Sequence, residues 1–146
     1  MRGETSNDNL DSKADVEMIS AGSKKKAFSL AERAVSPDGF LVIMKRSHVL
    51  TKCFLTIPNR WCNKKMLFAR QDVVMQVDQT KWDMKFNYFG SRGLGGISTG
   101  WRKFVHDNNL CQGDVCVFEP ASSESKPLHL YVFIFRAAEA ESSNNG

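Results

Sequence analysis

The sequence has no Cys-x-x-Cys pair, no His-Glu-x-x-His and no apolar run long enough to cross a bilayer. Each absence removes a class of function. Without paired cysteine spacing, Cys53, Cys62, Cys111 and Cys116 read as small buried apolar residues rather than as a zinc site or disulfide framework. Met1–Leu10 is polar and partly acidic, unlike a secretory leader, so a reducing compartment is expected. The three histidines, His48, His106 and His129, lie far apart in sequence and none has a partner at metal-ligand spacing. The core acids Asp72, Asp78, Asp83, Asp107 and Asp114 are scattered, where a magnesium-dependent nuclease would cluster them. No dinucleotide fingerprint or phosphate loop ending in Lys-Ser/Thr is found. Neither an enzyme nor a cofactor or metal is expected.

Acidic residues are missing from two long intervals, and that is informative. The chain of 146 residues carries a net charge of only +4. Met1–Gly39 holds six basic and seven acidic residues, and Ala121–Gly146 two and three. Phe40–Pro120 holds twelve basic and six acidic. Between Asp38 and Asp72 stand Lys45, Arg46, Lys52, Arg60, Lys64, Lys65 and Arg70 with no acid among them; between Asp83 and Asp107 stand Lys85, Arg92, Arg102 and Lys103. Segregation of this kind is the footprint of a surface that binds a polyanion. A solvated lysine-rich face is the plainer alternative.

The pattern along the chain reads as one domain between tails. Residues 1–26 are predicted to be a disordered tail, with Lys24-Lys25-Lys26 a weak import signal. Ala27–Ser36 has helical spacing and ends at the turn Ser36-Pro37-Asp38-Gly39, giving a helix and turn over 27–39. Phe40–Met44 and Cys53–Ile57 read as strands joined by the basic loop Lys45–Lys52, and Pro58 opens a short helix with Trp61 and Cys62 inward. Asp72–Val77 alternates, and Trp82–Tyr88 alternates so cleanly that Trp82, Met84, Phe86 and Tyr88 share one face. Asn87–Ile97, with Gly90, Gly93, Gly95 and Gly96 around Arg92, reads as a projecting glycine-rich arm. Thr99 is expected to cap a helix on which Trp101, Phe104 and Val105 face the core. Val115–Glu119 and Leu128–Phe135 follow, the latter apolar on both faces and so expected to lie under another element, the Ala27–Ser36 helix. Residues 137–146 are predicted to be a disordered tail. Several short strands with two short helices point to a barrel-like β fold, which removes exposed sheet edges.

Three segments then carry a resemblance: Phe-Leu-Thr-Ile-Pro (Phe54–Pro58), Ser-Thr-Gly-Trp-Arg-Lys-Phe-Val (Ser98–Val105) and Asp-Asn-Asn-Leu-Cys-Gln-Gly-Asp (Asp107–Asp114). With Ala31-Glu32-Arg33-Ala34 ahead of them, they resemble the plant B3 DNA-binding domain, and within it the reproductive-meristem branch and its vernalization-type domains. The resemblance covers residues 40–136. It implies a mainly β, seven-stranded open pseudobarrel with two short flanking α-helices, here preceded by an extension with a short helix. It also implies a nuclear transcriptional regulator gripping the major groove with two arms, matching Lys45–Lys52 and Asn87–Ile97.

Together with the basic face, the resemblance assigns DNA contacts to Lys45, Arg46, Ser47, His48, Thr51, Lys52, Lys64, Lys65, Asn87, Ser91, Arg92, Thr99 and Lys103. The second arm has few long polar side chains, so low sequence specificity is expected. The expected partner is double-stranded DNA, with other chromatin proteins as a further class and no membrane or small-molecule substrate. The competing readings are a protein-interaction module of a chromatin regulator and a nuclease-related domain.

Overall fold

A computed structural model describes residues 21–122 and 126–138. Seven strands form one sheet: β1 (Phe40–Ile43), β2 (Leu55–Ile57), β3 (Gln71–Val77), β4 (Thr80–Phe89), β5 (Leu94–Ile97), β6 (Val115–Pro120) and β7 (Leu128–Phe135). Helix α1 (Ala21–Ala34) precedes them. Helix α2 (Arg46–Val49) lies between β1 and β2, α3 (Asn59–Lys65) between β2 and β3, and α4 (Trp101–Asp107) between β5 and β6.

The spatial order is β1-β6-β7-β3-β4-β5-β2. All neighbours are antiparallel except β3 and β7. Strands β1 and β2, consecutive in sequence, are therefore the two outermost strands, and the chain between them must cross from one end of the sheet to the other. The expected seven-stranded open pseudobarrel is the architecture found, with α3 and α4 as its two short flanking helices.

Alternation places the core. Trp82, Met84 and Phe86 of β4 turn inward and pack with Leu55, Ile57, Val73, Met75, Ile97, Phe118 and Leu130 from the other strands. Helix α4 adds Trp101, Phe104 and Val105, with the rings of Trp101 and Phe104 stacked at 5.2 Å and that of Trp82 edge-on to Phe104 at 4.9 Å. Helix α3 adds Trp61 and Cys62, as its spacing predicts, and the Trp61 indole N–H donates to the Asp38 carbonyl at 2.9 Å.

Four local expectations are corrected. First, the leading helix begins at Ala21, not Ala27, and ends at Ala34, so Lys24-Lys25-Lys26 is helical; residues 1–20 lie outside the described residues. The stripe facing the sheet is Ser23, Ala27 and Ala31, whose small side chains let the helix lie close on Val115 and Val117. A search for large apolar residues does not see Ser23. Second, Thr99 does not cap α4. The cap position is Gly100, at φ +89°, and a Cβ there would lie 2.4 Å from the Asp83 carbonyl oxygen. Third, Cys53, Cys62 and Cys116 are buried as expected, but Cys111 is exposed. Fourth, α1 covers β6, Leu41 and Phe135, while Tyr131 and Phe133 of β7 remain exposed. The outer face of β7 is thus covered only at its C-terminal end. The C-terminal tail expected over 137–146 begins with Ala137, whose backbone N–H donates to the buried carboxylate of Asp114 at 3.0 Å; residues 139–146 lie outside the described residues.

Candidate nucleic-acid interface

The β1–β2 connection is a tethered arm, not a free loop. It leaves the sheet at Met44, whose N–H donates to the Asp114 carbonyl at 2.7 Å and whose carbonyl accepts from Gly113 at 2.8 Å. It turns through α2, where Arg46 and Ser47 are exposed and His48 and Val49 buried. It re-enters at Cys53, in left-handed conformation at φ +50°, with its thiol 3.5 Å from the Val49 carbonyl. Lys45, Arg46, Ser47, Thr51 and Lys52 all face solvent.

His48 does not face solvent. Its Nδ1 accepts the Lys45 N–H at 2.8 Å, its carbonyl accepts the Trp101 indole N–H at 2.9 Å, and its side chain is buried. Burial first, then the neighbouring Lys45 charge, lowers its pKa, so the ring is neutral near pH 7 and carries its proton on Nε2. The expected DNA contact by His48 is corrected: the ring holds the arm's shape from inside.

The second arm is shorter and stiffer than its glycines imply. Strand β4 continues to Phe89 and β5 starts at Leu94, leaving a tight turn over 90–93 closed by Arg92 N–H to the Phe89 carbonyl at 3.0 Å. Gly95 and Gly96 are not turn residues. They pair with Tyr88 and Asn87 in the sheet. A Cβ on Gly95 would sit 2.4 Å from the Phe86 ring, and one on Gly96 2.4 Å from the Phe54 ring and 2.6 Å from the Leu55 carbonyl oxygen. Both glycines are there for close packing; in the turn, Gly93, at φ +61° in open space, is the position that needs glycine's left-handed freedom. Ser91 and Arg92 project from the tip, exposed; Asn87 is half-buried in β4.

The two arms meet across one cleft of about 460 Å³, lined by Ser47, Lys52, Phe54, Thr56, Phe89, Arg92 and Leu94. The cations Lys45, Arg46, Lys52 and Arg92 form no ion pair among the described residues. Their charge is therefore available to an outside anion.

Other expected contact residues are committed elsewhere. Lys65 pairs with Asp38 at 2.6 Å and Lys64 approaches the same carboxylate at 3.6 Å while donating to the Pro37 carbonyl at 3.0 Å. The hydrogen bond from Lys65 holds the Asp38 carboxyl below its ordinary range. Lys103 donates to Asp107 at 2.8 Å; with the Trp82 indole on the same carboxylate, it lowers Asp107 to about 2. Thr99 lines a separate cavity with Asp72, Asp83 and Lys85, away from the cleft between the arms. The residues that sequence reasoning missed are Phe54, Thr56, Phe89 and Leu94. The signal was available: where Leu55 and Ile57 point inward, alternation sends Phe54 and Thr56 outward.

Comparison with known proteins follows the same boundaries. The family profile described as B3 DNA binding domain matches residues 40–138. The chain is 77% identical over 145 residues to the B3 domain-containing protein REM16 of Arabidopsis thaliana, covering 99% of this chain and 43% of that protein. It is 26% identical over 102 residues to the Arabidopsis B3 domain-containing transcription factor VRN1, covering 69% of this chain and 29% of that protein. The chain thus spans less than half the length of these relatives. Among solved structures, the Arabidopsis FUS3–DNA complex aligns with a TM-score of 0.51 at 15% identity, over 64% of this chain and 93% of that one. A hypothetical Arabidopsis protein, At1g16640.1, aligns with a TM-score of 0.51 at 21% identity, over 66% and 88%. At these identities the structural likeness concerns the fold.

Proposed function

The chain belongs to the B3 DNA-binding domain family, and from that premise we propose that it binds double-stranded DNA in the nucleus by presenting the cleft between its two arms to the major groove. The observation that carries this reading is the convergence of Lys52 and Arg92, from arms 40 residues apart in sequence, on one cleft beside the exposed Lys45 and Arg46. Exposed cations that form no ion pair among the described residues attract phosphate, whereas Lys65 and Lys103, bound to Asp38 and Asp107, would first have to break an ion pair.

The contact is dominated by charge, and its hydrogen-bonding preference among sequences is low. Base readout needs side chains that reach paired donors and acceptors on base edges, and each such pair discriminates by about 1–3 kcal/mol. Arg92 is the long forked donor of the cleft; Lys52 and Ser47 suit phosphate at least as well as bases. Binding to several unrelated duplexes at two salt concentrations tests the reading. Similar affinities falling together with salt support it. Enrichment of one motif of several base pairs by more than about a hundredfold, nearly 3 kcal/mol, would refute the low preference, and absence of binding to any duplex would refute the function.

A further inference from the structure

The cleft between the cationic arms has an apolar floor. Phe89 ends strand β4 and Phe54 immediately precedes β2, the two strands on either side of β5; their ring centres are 6.3 Å apart, and Leu94 of β5 lines the same cleft. Phe89 remains 40% exposed. It is not a core residue left over: the inward face of β4 is already filled by Trp82, Met84 and Phe86, and Phe89 stands on the opposite face at the strand's end. Phe54 is held from behind by Gly96, whose missing Cβ makes room for its ring. Buried Gly96 is thus spent on seating the Phe54 ring, and the half-exposed Phe89 ring faces the same cleft.

Phosphate oxygens call for N–H and O–H donors, so an aromatic floor adds nothing to backbone binding. The cations at its rim fit a nucleic acid entering from above, and the one apolar group that the major groove offers is the methyl on C5 of a pyrimidine, carried by thymine and equally by 5-methylcytosine. Resting on the DNA-binding reading above, we propose that this cleft recognises pyrimidine 5-methyl groups, with Phe89 and Leu94 as the contact surface, Phe54 as its support, and Lys52 and Arg92 holding the flanking phosphates.

The test compares three mixed-sequence duplexes that differ only in these methyls, by fluorescence anisotropy with the intact chain: one with thymine, one with deoxyuracil at every thymine, and one with 5-methylcytosine at every cytosine. Each methyl buried on Phe89 is expected to contribute about fourfold in affinity, the worth of one methylene removed from water. The uracil duplex should bind at least that much more weakly and the 5-methylcytosine duplex more tightly; a response in only one arm supports the proposal and identifies which base is read. Phe89→Ala should erase the differences while retaining salt-dependent binding, and Leu94→Ala should reduce them. Equal affinity for all three duplexes overturns methyl recognition and leaves DNA binding standing. Failure to bind any of them overturns both. Differences that persist undiminished in both variants place the methyl contact outside this cleft and overturn the assignment.

Discussion

The indole N–H of Trp101 donates to the main-chain carbonyl of His48 at 2.9 Å, tying the helix after β5 to the helix inside the first arm. Trp101 is fully buried and stacked on Phe104, so this bond joins the arm to the hydrophobic core. The arm's exposed cations inherit their position from it.

Trp101→Ala should cost about 3–5 kcal/mol by leaving a cavity, and the His48 carbonyl would lose its donor as well. Trp101→Phe separates the two effects. It keeps most of the ring and removes the N–H, so denaturant unfolding should show a loss of about 1–3 kcal/mol, with faster amide exchange at Lys45 and His48 than in the parent chain. Unchanged exchange in the arm would show that it does not depend on this bond.

Gly96→Ala should be markedly destabilising, because its Cβ meets the Phe54 ring and a backbone carbonyl that cannot yield; overpacking of this kind costs about 1–3 kcal/mol. Gly93→Asn should cost less than about 1 kcal/mol, since Asn tolerates the left-handed conformation and nothing lies within 4 Å. Thermal melts of the two variants should rank in that order. The reverse would mean that the glycines serve flexibility after all.

Salt dependence counts the phosphates. With Lys45, Arg46, Lys52 and Arg92 each neutralising one phosphate, log affinity should fall with log salt at a slope of about −3.6. Replacing Lys45 and Arg46 together should flatten it by about two units. Lys103→Ala should leave it unchanged, because that ammonium is engaged by Asp107. A change on replacing Lys103 would extend the contact surface to α4.

His48 makes the first arm sensitive to acid. Its folded pKa lies below the ordinary histidine value because its ring is buried, so the unfolded chain takes up the proton first as pH falls. The stability contributed by the neutral ring is complete above about pH 6.5 and is lost as the pH drops from there towards the lowered folded value. Protonation would also remove the acceptor for the Lys45 N–H. Melting temperature followed from pH 7.5 to 5 should fall, and His48→Gln should flatten part of that fall. An identical profile in the variant would assign the acid sensitivity to other groups.

Much of this molecule is legible in short stretches of its sequence. The alternation of Trp82, Met84 and Phe86 placed β4 and its inward face, the spacing of Trp101, Phe104 and Val105 placed α4 on the core, and the missing acids around Lys45–Lys52 pointed to the first arm. These patterns are local: a strand repeats every two residues and a helix about every 3.6, so backbone geometry alone decides which side chains share a face. What the tertiary structure decided is what each of those side chains can still do. Lys65 is occupied because Asp38, 27 residues away, folds back against it, and His48 faces inward because Trp101, 53 residues away, reaches its carbonyl. Gly95 and Gly96 look like hinge residues in the sequence and are packing residues in the sheet, because the rings of Phe86 and Phe54 occupy the space where their side chains would be. Composition sets how many cations and glycines there are, but ion pairing and close approach act between groups that only the folded chain brings within a few ångströms.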